Sequence, residues 1–405
     1  MDETENSPPL LRHIEAFPID HEGERRIVLY DPMKYTDITM TVSLSAFYLM
    51  TLMDGEHEVE SICEEYVKRF GLPVSREETV DIISKLDEAF MLDNERFATR
   101  RENMRRDFLA LEKRPPIFAG QSYPAEPEAL GKLLDTMLEG EPRNDGDILA
   151  VVSPHIDFRV GGDMMAAGWR ELKNSDADLF VILGTGHTLT EEFFSVIDKD
   201  YQTPIGSMPV DHGFIEKFRD NFGESVSGQV EAHKNEHSIE FQALFFARLF
   251  GSRPDVKAVP VLLSFPENVW QMDHPVFNGQ RVDRFIEALG KTVAQCGKKV
   301  VFIASVDLAH VGARFGDSHK LSDEDLERIE VDDRKLISSI CDMDGDGFLA
   351  EIIKVNDRNK VCGFPSLYTL FKVCGAKSAK LLQYRQNLEG ERENVVTFAT
   401  LTLRG

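Results

Sequence analysis

The sequence is poor in cysteine: five in 405 residues, an odd number, with no Cys-x-x-Cys pair. That scarcity argues against a disulfide framework and fits a reducing compartment. Long apolar runs are missing too, and none approaches the roughly 20 residues needed to span a bilayer. Met1–Asp20 is acidic and proline-bearing, and it lacks the positive start and apolar core of a signal peptide. A cytoplasmic protein with no membrane partner is expected. Basic residues are the minority, 46 Lys+Arg against 70 Asp+Glu, for a formal net charge of -24. Such a surplus repels phosphate backbones, so no nucleic-acid partner is expected. With 42% hydrophobic and 29% charged residues, the chain has ample material for buried cores and room for two or three domains.

Residues 1–26 read as a polar, disordered tail. A small unit is expected over 27–98. Ile27-Val28-Leu29-Tyr30 is β-prone and ends at the Asp31-Pro32 turn. Three helical stripes follow, the third introduced by Ser75 with Glu78 three residues on, a capping box. Three short helices with flanking strands suggest a winged-helix module. Between Lys34 and Phe97, however, 6 basic side chains face 14 acidic ones. That balance favours a peptide or protein partner over DNA. Residues 99–114 form a charged helical connector, closed by Pro115-Pro116.

From 115 to 405 the pattern changes to β-prone runs separated by amphipathic helices. The runs are Ile148–Ser153, Leu179–Leu183, Ala258–Leu263, Val300–Ala304, Lys380–Tyr384 and Val395–Leu403. Phe241–Phe250 and Val282–Val293 are among the helical stripes. This alternation predicts an α/β domain around a buried sheet.

Chemistry collects just after the strands. Ile148–Ser153 leads into Pro154-His155-Ile156-Asp157, Leu179–Leu183 into Gly184-Thr185-Gly186-His187, and Val300–Ala304 into Ser305-Val306-Asp307-Leu308-Ala309-His310. Ligands of open α/β sheets bind beyond the carboxyl ends of the strands, and packing alone does not require imidazoles at that edge. Glu236-His237-Ser238-Ile239-Glu240 opens a helix, with His237 and Glu240 on one face. Cys362 precedes Gly363, whose small size lets a backbone come close. Two imidazoles with a thiolate or carboxylate and open positions suit Fe(II), Cu or Zn and not Mg or Ca. Because the ligands must be deprotonated, binding is expected to fail in mild acid.

These segments, with Ala119-Gly120-Gln121-Ser122-Tyr123-Pro124-Ala125 before them, occur in the order found in the Memo family, known in bacteria and archaea as AmmeMemoRadiSam system protein B. The chain resembles that family from Ala119 to its C-terminus. The resemblance implies a three-layer α/β/α fold like that of the class III extradiol dioxygenases. It implies metal ligands at His155, His187 and Cys362, with His237, Asp307 and His310 as acid/base or substrate-orienting groups and Glu240 and Asp157 as outer supports. Iron(II) or copper would be the cofactor, zinc less so. The substrate would be a small molecule or peptide, and the family's system name implies a radical-SAM partner. One departure stands out. The dioxygenases use a carboxylate as third ligand, and Cys362 occupies the matching place here. Thiolate favours copper or a redox role, so ring cleavage is not inherited. The front unit, with Asp54-Gly55 and Leu86-Asp87-x-x-x-Met91-Leu92, is similar to PqqD-like winged-helix domains, which bind peptides beside radical-SAM enzymes. A non-catalytic adaptor with a vestigial metal pocket is the alternative reading.

Four look-alikes are set aside. His233-x-x-Glu236-His237 spells an inverted zinc-peptidase signature, but His233 falls before the helix begins. Asp342-x-Asp344-x-Asp346-Gly347 imitates a calcium loop, yet Ile353 stands where the bidentate Glu is needed. Gly184-x-Gly186 lacks the third glycine of a dinucleotide fingerprint, and Gly290-Lys291-Thr292 lacks the leading glycine of a P-loop.

Overall fold

Order begins earlier than the composition of the front segment suggests. Glu15–His21 is a strand, paired antiparallel with Glu24–Tyr30 from Glu15↔Tyr30 to His21↔Glu24. The tail expected to run to residue 26 is therefore, from Glu15 onward, half of a hairpin. Its partner strand supplies the reason: Ile27 and Leu29 are buried in a core with Leu49, Ile62, Leu86 and Met91, and their strand templates the pairing. This computed structural model describes residues 7–21, 23–142, 147–317 and 320–405. Within the expected tail Leu10 and Leu11 also bridge to Asp54 and Leu92, and Arg12 is buried, while residues 1–6 and 22 lie outside the described residues.

The chain divides into two units, Met1–Ala110 and Leu111–Gly405. In the first, Met40–Ser43 adds a third antiparallel strand, and helices span Leu44–Thr51, Val59–Phe70, Arg76–Glu88 and Glu95–Ala110. The capping box at Ser75 and Glu78 is present, and Gly71 in the left-handed region ends the helix before it. Asp31 holds the predicted turn by accepting from the amides of Met33, Tyr35 and Thr36, and buried Arg12 grips both its oxygens. The expected connector at 99–114 is different. Its helix, Glu95–Ala110, packs Phe97 and Met104 on Tyr35 and belongs to the first unit, whereas Leu111–Arg114 belong to the second.

In the second unit a mixed sheet has the order His310–Gly312, Asn394–Arg404, Ile148–Ser153, Val300–Ser305, Leu179–Thr185, Lys257–Leu263, Phe194–Val196, with Ser378–Glu389 paired to Asn394–Arg404. Its middle four strands are parallel. All six predicted strands are found; the short edge strands were not predicted. Being buried on both faces, the central strands read as unbroken apolar runs. Helices Phe158–Arg170 and His237–Phe250 cover one face, where Trp169, Phe246 and Phe250 meet Phe180. Helices His212–Phe222, Gly279–Gln295 and Phe364–Val373 cover the other, through Phe218, Phe285 and Leu367 against Val181, Val261 and Phe302. The result is an α/β/α sandwich whose four parallel strands end on one edge. Among the described residues, no helix is long and apolar enough to cross a membrane.

Helix Asp323–Cys341 places Asp333 against Ser378–Glu389, where the Tyr384 hydroxyl donates to its Oδ2 at 2.8 Å. Burial, with Asp332 adding to it, lifts the Asp333 carboxyl to about 6. A carboxyl raised in the folded state contributes stability fully present below its unfolded pKa and lost as pH rises through the folded one. Wild type should therefore lose up to about 3 kcal/mol relative to Asp333→Asn between pH 4 and 7. Urea denaturation of both chains across that range checks this; a difference independent of pH would contradict it.

Candidate metal centre

Three adjacent parallel strands deliver their next residues to the same edge. Beyond Ser153 comes His155, beyond Thr185 comes His187, and beyond Ser305 comes Asp307. His155 is buried, and its Nδ1 donates to the Ser305 carbonyl at 2.8 Å. A carbonyl only accepts, so the proton sits on Nδ1 and Nε2 keeps its lone pair. His187 turns its Nδ1 to the Glu236 carboxylate, 3.1 Å from either oxygen.

His237 comes from the opposite layer, as the first residue of helix His237–Phe250. Glu236 caps that helix by accepting from the Ser238 amide at 2.9 Å, and its Oε1 also lies 3.3 Å from Nδ1 of His237. The helix can approach because the strand carries glycine at 184: a Cβ there would stand 2.7 Å from Ser238 Oγ and 2.8 Å from Ile239 Cγ1. The Gly184-Thr185-Gly186 run is thus a packing feature, not a nucleotide loop. The His187 and His237 rings stack at 4.9 Å, and His155 meets each edge-on, at 5.0 and 5.3 Å. One nitrogen from each of His155, His187 and His237 lies within 4.8 Å of the others.

Cys362 stands beside this cluster, with Sγ 3.5 Å from His155 Nε2 and 3.6 Å from the Asp307 carbonyl. Gly363 makes the approach possible, since a Cβ would meet the Asp307 carbonyl at 2.7 Å. Asp307 itself accepts from the His155 amide at 3.0 Å, and its Oδ2 lies 3.7 Å from His155 Nε2. His310 opens the edge strand, donates Nδ1–H to the Leu308 carbonyl at 3.1 Å, and lies outside the three-imidazole cluster. The sequence reading gave His237 a proton-handling role; the structure puts it in the cluster, with Cys362 at the margin.

Charge is distributed unevenly. Burial depresses His155 to about 3, helped by the charge of His187, and depresses His237 to about 3 against the pull of Glu236. Burial lowers His310 to about 4 although Asp307 favours its charge. His187 is the exception: burial opposes its charge, but Glu236 and the Cys362 thiol outweigh that and hold it well above the imidazole range. Burial raises the Cys362 thiol, and lifts Asp307 to about 6 although His310 and two backbone amides oppose it. The Glu236 field that favours a proton on His187 equally favours a metal cation at that ring. Three convergent imidazoles, two with their tautomers fixed by acceptors, fit a first-row transition ion. With its side chain 36% exposed, His187 marks where solvent reaches the cluster.

The outer supports lie elsewhere than expected. Glu240 touches no imidazole among the described residues; it is buried against Arg114 and Tyr123. Asp157 caps helix Phe158–Arg170 and binds Arg159 and Ser122. Glu236, unassigned in the sequence reading although it lies in the same segment, is the carboxylate that holds two rings. His233 ends a short turn before the helix, bonded to Tyr201 and the Ser195 carbonyl, so it takes no part in the cluster. Asp344 caps helix Gly345–Lys354 by accepting from the Gly347 amide, an acidic turn as expected.

The family model described as Memo-like protein matches residues 114–402. The chain belongs to this family. A MEMO1 family protein from Aquifex aeolicus is 29% identical over 393 residues, covering 95% of this chain and 98% of the relative. Another from Methanococcoides burtonii is 30% identical over 281 residues, covering 67% of this chain and 92% of the relative. For one from Methanosarcina mazei, 29% identical over 296 residues, the figures are 72% and 99%. The Aquifex similarity therefore extends into the first unit, whereas the Methanosarcina relative is spanned by less than three-quarters of this chain. In this Memo-like chain, replacing Gly184 should wedge the His237 helix away from the sheet. Gly184→Ala is expected to cost about 1–3 kcal/mol by overpacking. An unchanged urea midpoint would show that the helix start yields freely.

Proposed function

We propose that the second unit is a metal-dependent redox protein that holds iron or copper through His155, His187 and His237, with Cys362 alongside, and acts on a small molecule or peptide. The observation that carries this reading is the convergence of three imidazole nitrogens at the ends of two strands and the start of one helix. Two ligands on one tetrahedral ion at ordinary bond lengths lie about 3.5 Å apart. The Cys362 Sγ to His155 Nε2 separation of 3.5 Å supports the thiol as a further donor. Such an ion, when bound, supplies electron-transfer and Lewis-acid chemistry. The protein's part is to orient and to hold protons. Asp307, lifted to about 6, keeps a proton available close to neutral pH, and His310 stands nearby at the edge of the sheet. Protein purified without oxygen should carry roughly one metal per chain, and the His155→Ala, His187→Ala double variant should lose it with its helical content intact. Unchanged metal content in that variant would reject these ligands. A zinc-only preparation would favour hydrolysis over redox chemistry.

The first unit we assign to a partner, a radical-SAM enzyme. Its excess of acidic side chains between Lys34 and Phe97 supports a protein contact, as do exposed apolar residues including Leu44 and Leu72. Leu44→Glu with Leu72→Glu should abolish co-purification of such a partner and leave the metal content unchanged. Full retention of the partner would remove this assignment.

A further inference from the structure

We infer that the buried ion pair of Arg114 and Glu240 is a positioning device that sets His237 and Glu236 at the metal centre; this rests on the metal-binding reading above. Arg114 lies on the short strand Lys113–Arg114, paired with Asp200–Thr203, where the family match begins. Both side chains of the pair are buried, 0% and 1% exposed. Removing two charges from water costs several kcal/mol per ion, and a well-packed apolar pair often holds a core as well or better. Stability alone therefore does not call for this arrangement; its hydrogen bonds say what it does.

Besides binding Glu240, the guanidinium donates to three backbone carbonyls: Pro115 at 2.8 Å, His233 at 3.1 Å and Glu236 at 2.9 Å. The last two bracket the segment that enters the His237 helix. Glu236 is also the residue whose carboxylate touches His187 and His237. From the other side, Glu240 accepts from the amides of Ile117 and Phe118, at 3.1 and 2.9 Å, and from the Tyr123 hydroxyl. That fixes the Phe118 ring, which stands edge-on to His237 with centroids 5.8 Å apart. One ion pair thus holds the backbone beneath His237 and the ring beside it. An apolar pair would fill the space but could grip neither the Glu236 carbonyl nor the two amides. Arg114 touches no imidazole of the cluster among the described contacts, so it acts through Glu236.

The experiment uses the full chain and Co2+ as probe, followed by its visible ligand-field absorption, with circular dichroism and urea denaturation alongside. In Glu240→Gln, and in the apolar double variant Arg114→Met with Glu240→Leu, the dissociation constant for Co2+ should rise about 10–100-fold. The absorption bands should shift as the ligand geometry loosens, while the far-ultraviolet spectrum stays native. Should Glu240→Gln fail to fold, the double variant carries the test, and Tyr123→Phe, which removes one hydrogen bond and leaves both charges, decides it in the same way if neither folds. Folded variants with wild-type Co2+ affinity and an unshifted spectrum would overturn the inference and leave the functional reading standing. Wild-type protein that takes up no Co2+ would overturn both.

Discussion

The Glu236 carboxylate is 1% exposed and is shared by two imidazoles, and most of the site depends on it. An isolated carboxylate in that position would be expelled or neutralised, because burial penalises its charge. Here His187, His237 and the Ser238 amide hold it below the ordinary carboxylate range. The same contacts work in reverse. Nδ1 of His187 is occupied by Glu236, as Nδ1 of His155 is occupied by the Ser305 carbonyl, so Nε2 is the nitrogen each ring can offer to an ion. The anion in the wall and the donor face of the rings are one arrangement seen from two sides.

That arrangement needs close approach between layers, and glycine supplies it. Gly184 lets the helix bearing Glu236 and His237 lie against the strand that leads to His187, and Gly363 lets the Cys362 backbone meet Asp307. Without those two positions the carboxyl edge of the sheet would still present His155 and His187, but neither the third imidazole nor the thiol could reach them. The parallel strands set direction, and the missing side chains set distance.

Much of this was legible in the sequence, and what was not has a physical cause. The six long strands and the histidines after two of them stand out because fully buried parallel strands are continuous apolar runs, so a polar residue just past their ends is conspicuous. Cys362 was legible through Gly363. Glu240 was misplaced because three-residue spacing says that it shares a face with His237 and not what the face meets. Its partner Arg114 is 126 residues away and sits in a stretch whose local charge reads as solvated. The front hairpin was missed for a related reason: Glu15–His21 carries Pro18 in its middle, which reads as a strand breaker, and its order comes from the neighbouring strand. Local patterns report what a segment can do alone, whereas long-range partners decide buried charges and edge pairings.

Two residues at the margin shape the chemistry that the cluster supports. Asp307 is a buried carboxyl raised to about 6 and Cys362 a thiol raised by the same burial, so the surroundings resist an anion at either, and Asp307 stays the stronger acid. Both lie within 4 Å of Nε2 of His155. Neutral Asp307 donates a hydrogen bond, whereas ionised Asp307 would compete with the thiolate for the same positive charge. Only one of the two can be anionic at little cost in so dry a place, since two anions in contact repel strongly at low effective dielectric. Asp307 takes that charge first as pH rises, and a thiolate at Cys362 would need a soft cation among the imidazoles to offset its raised pKa. That competition follows from the thiol and the acid sharing one buried imidazole.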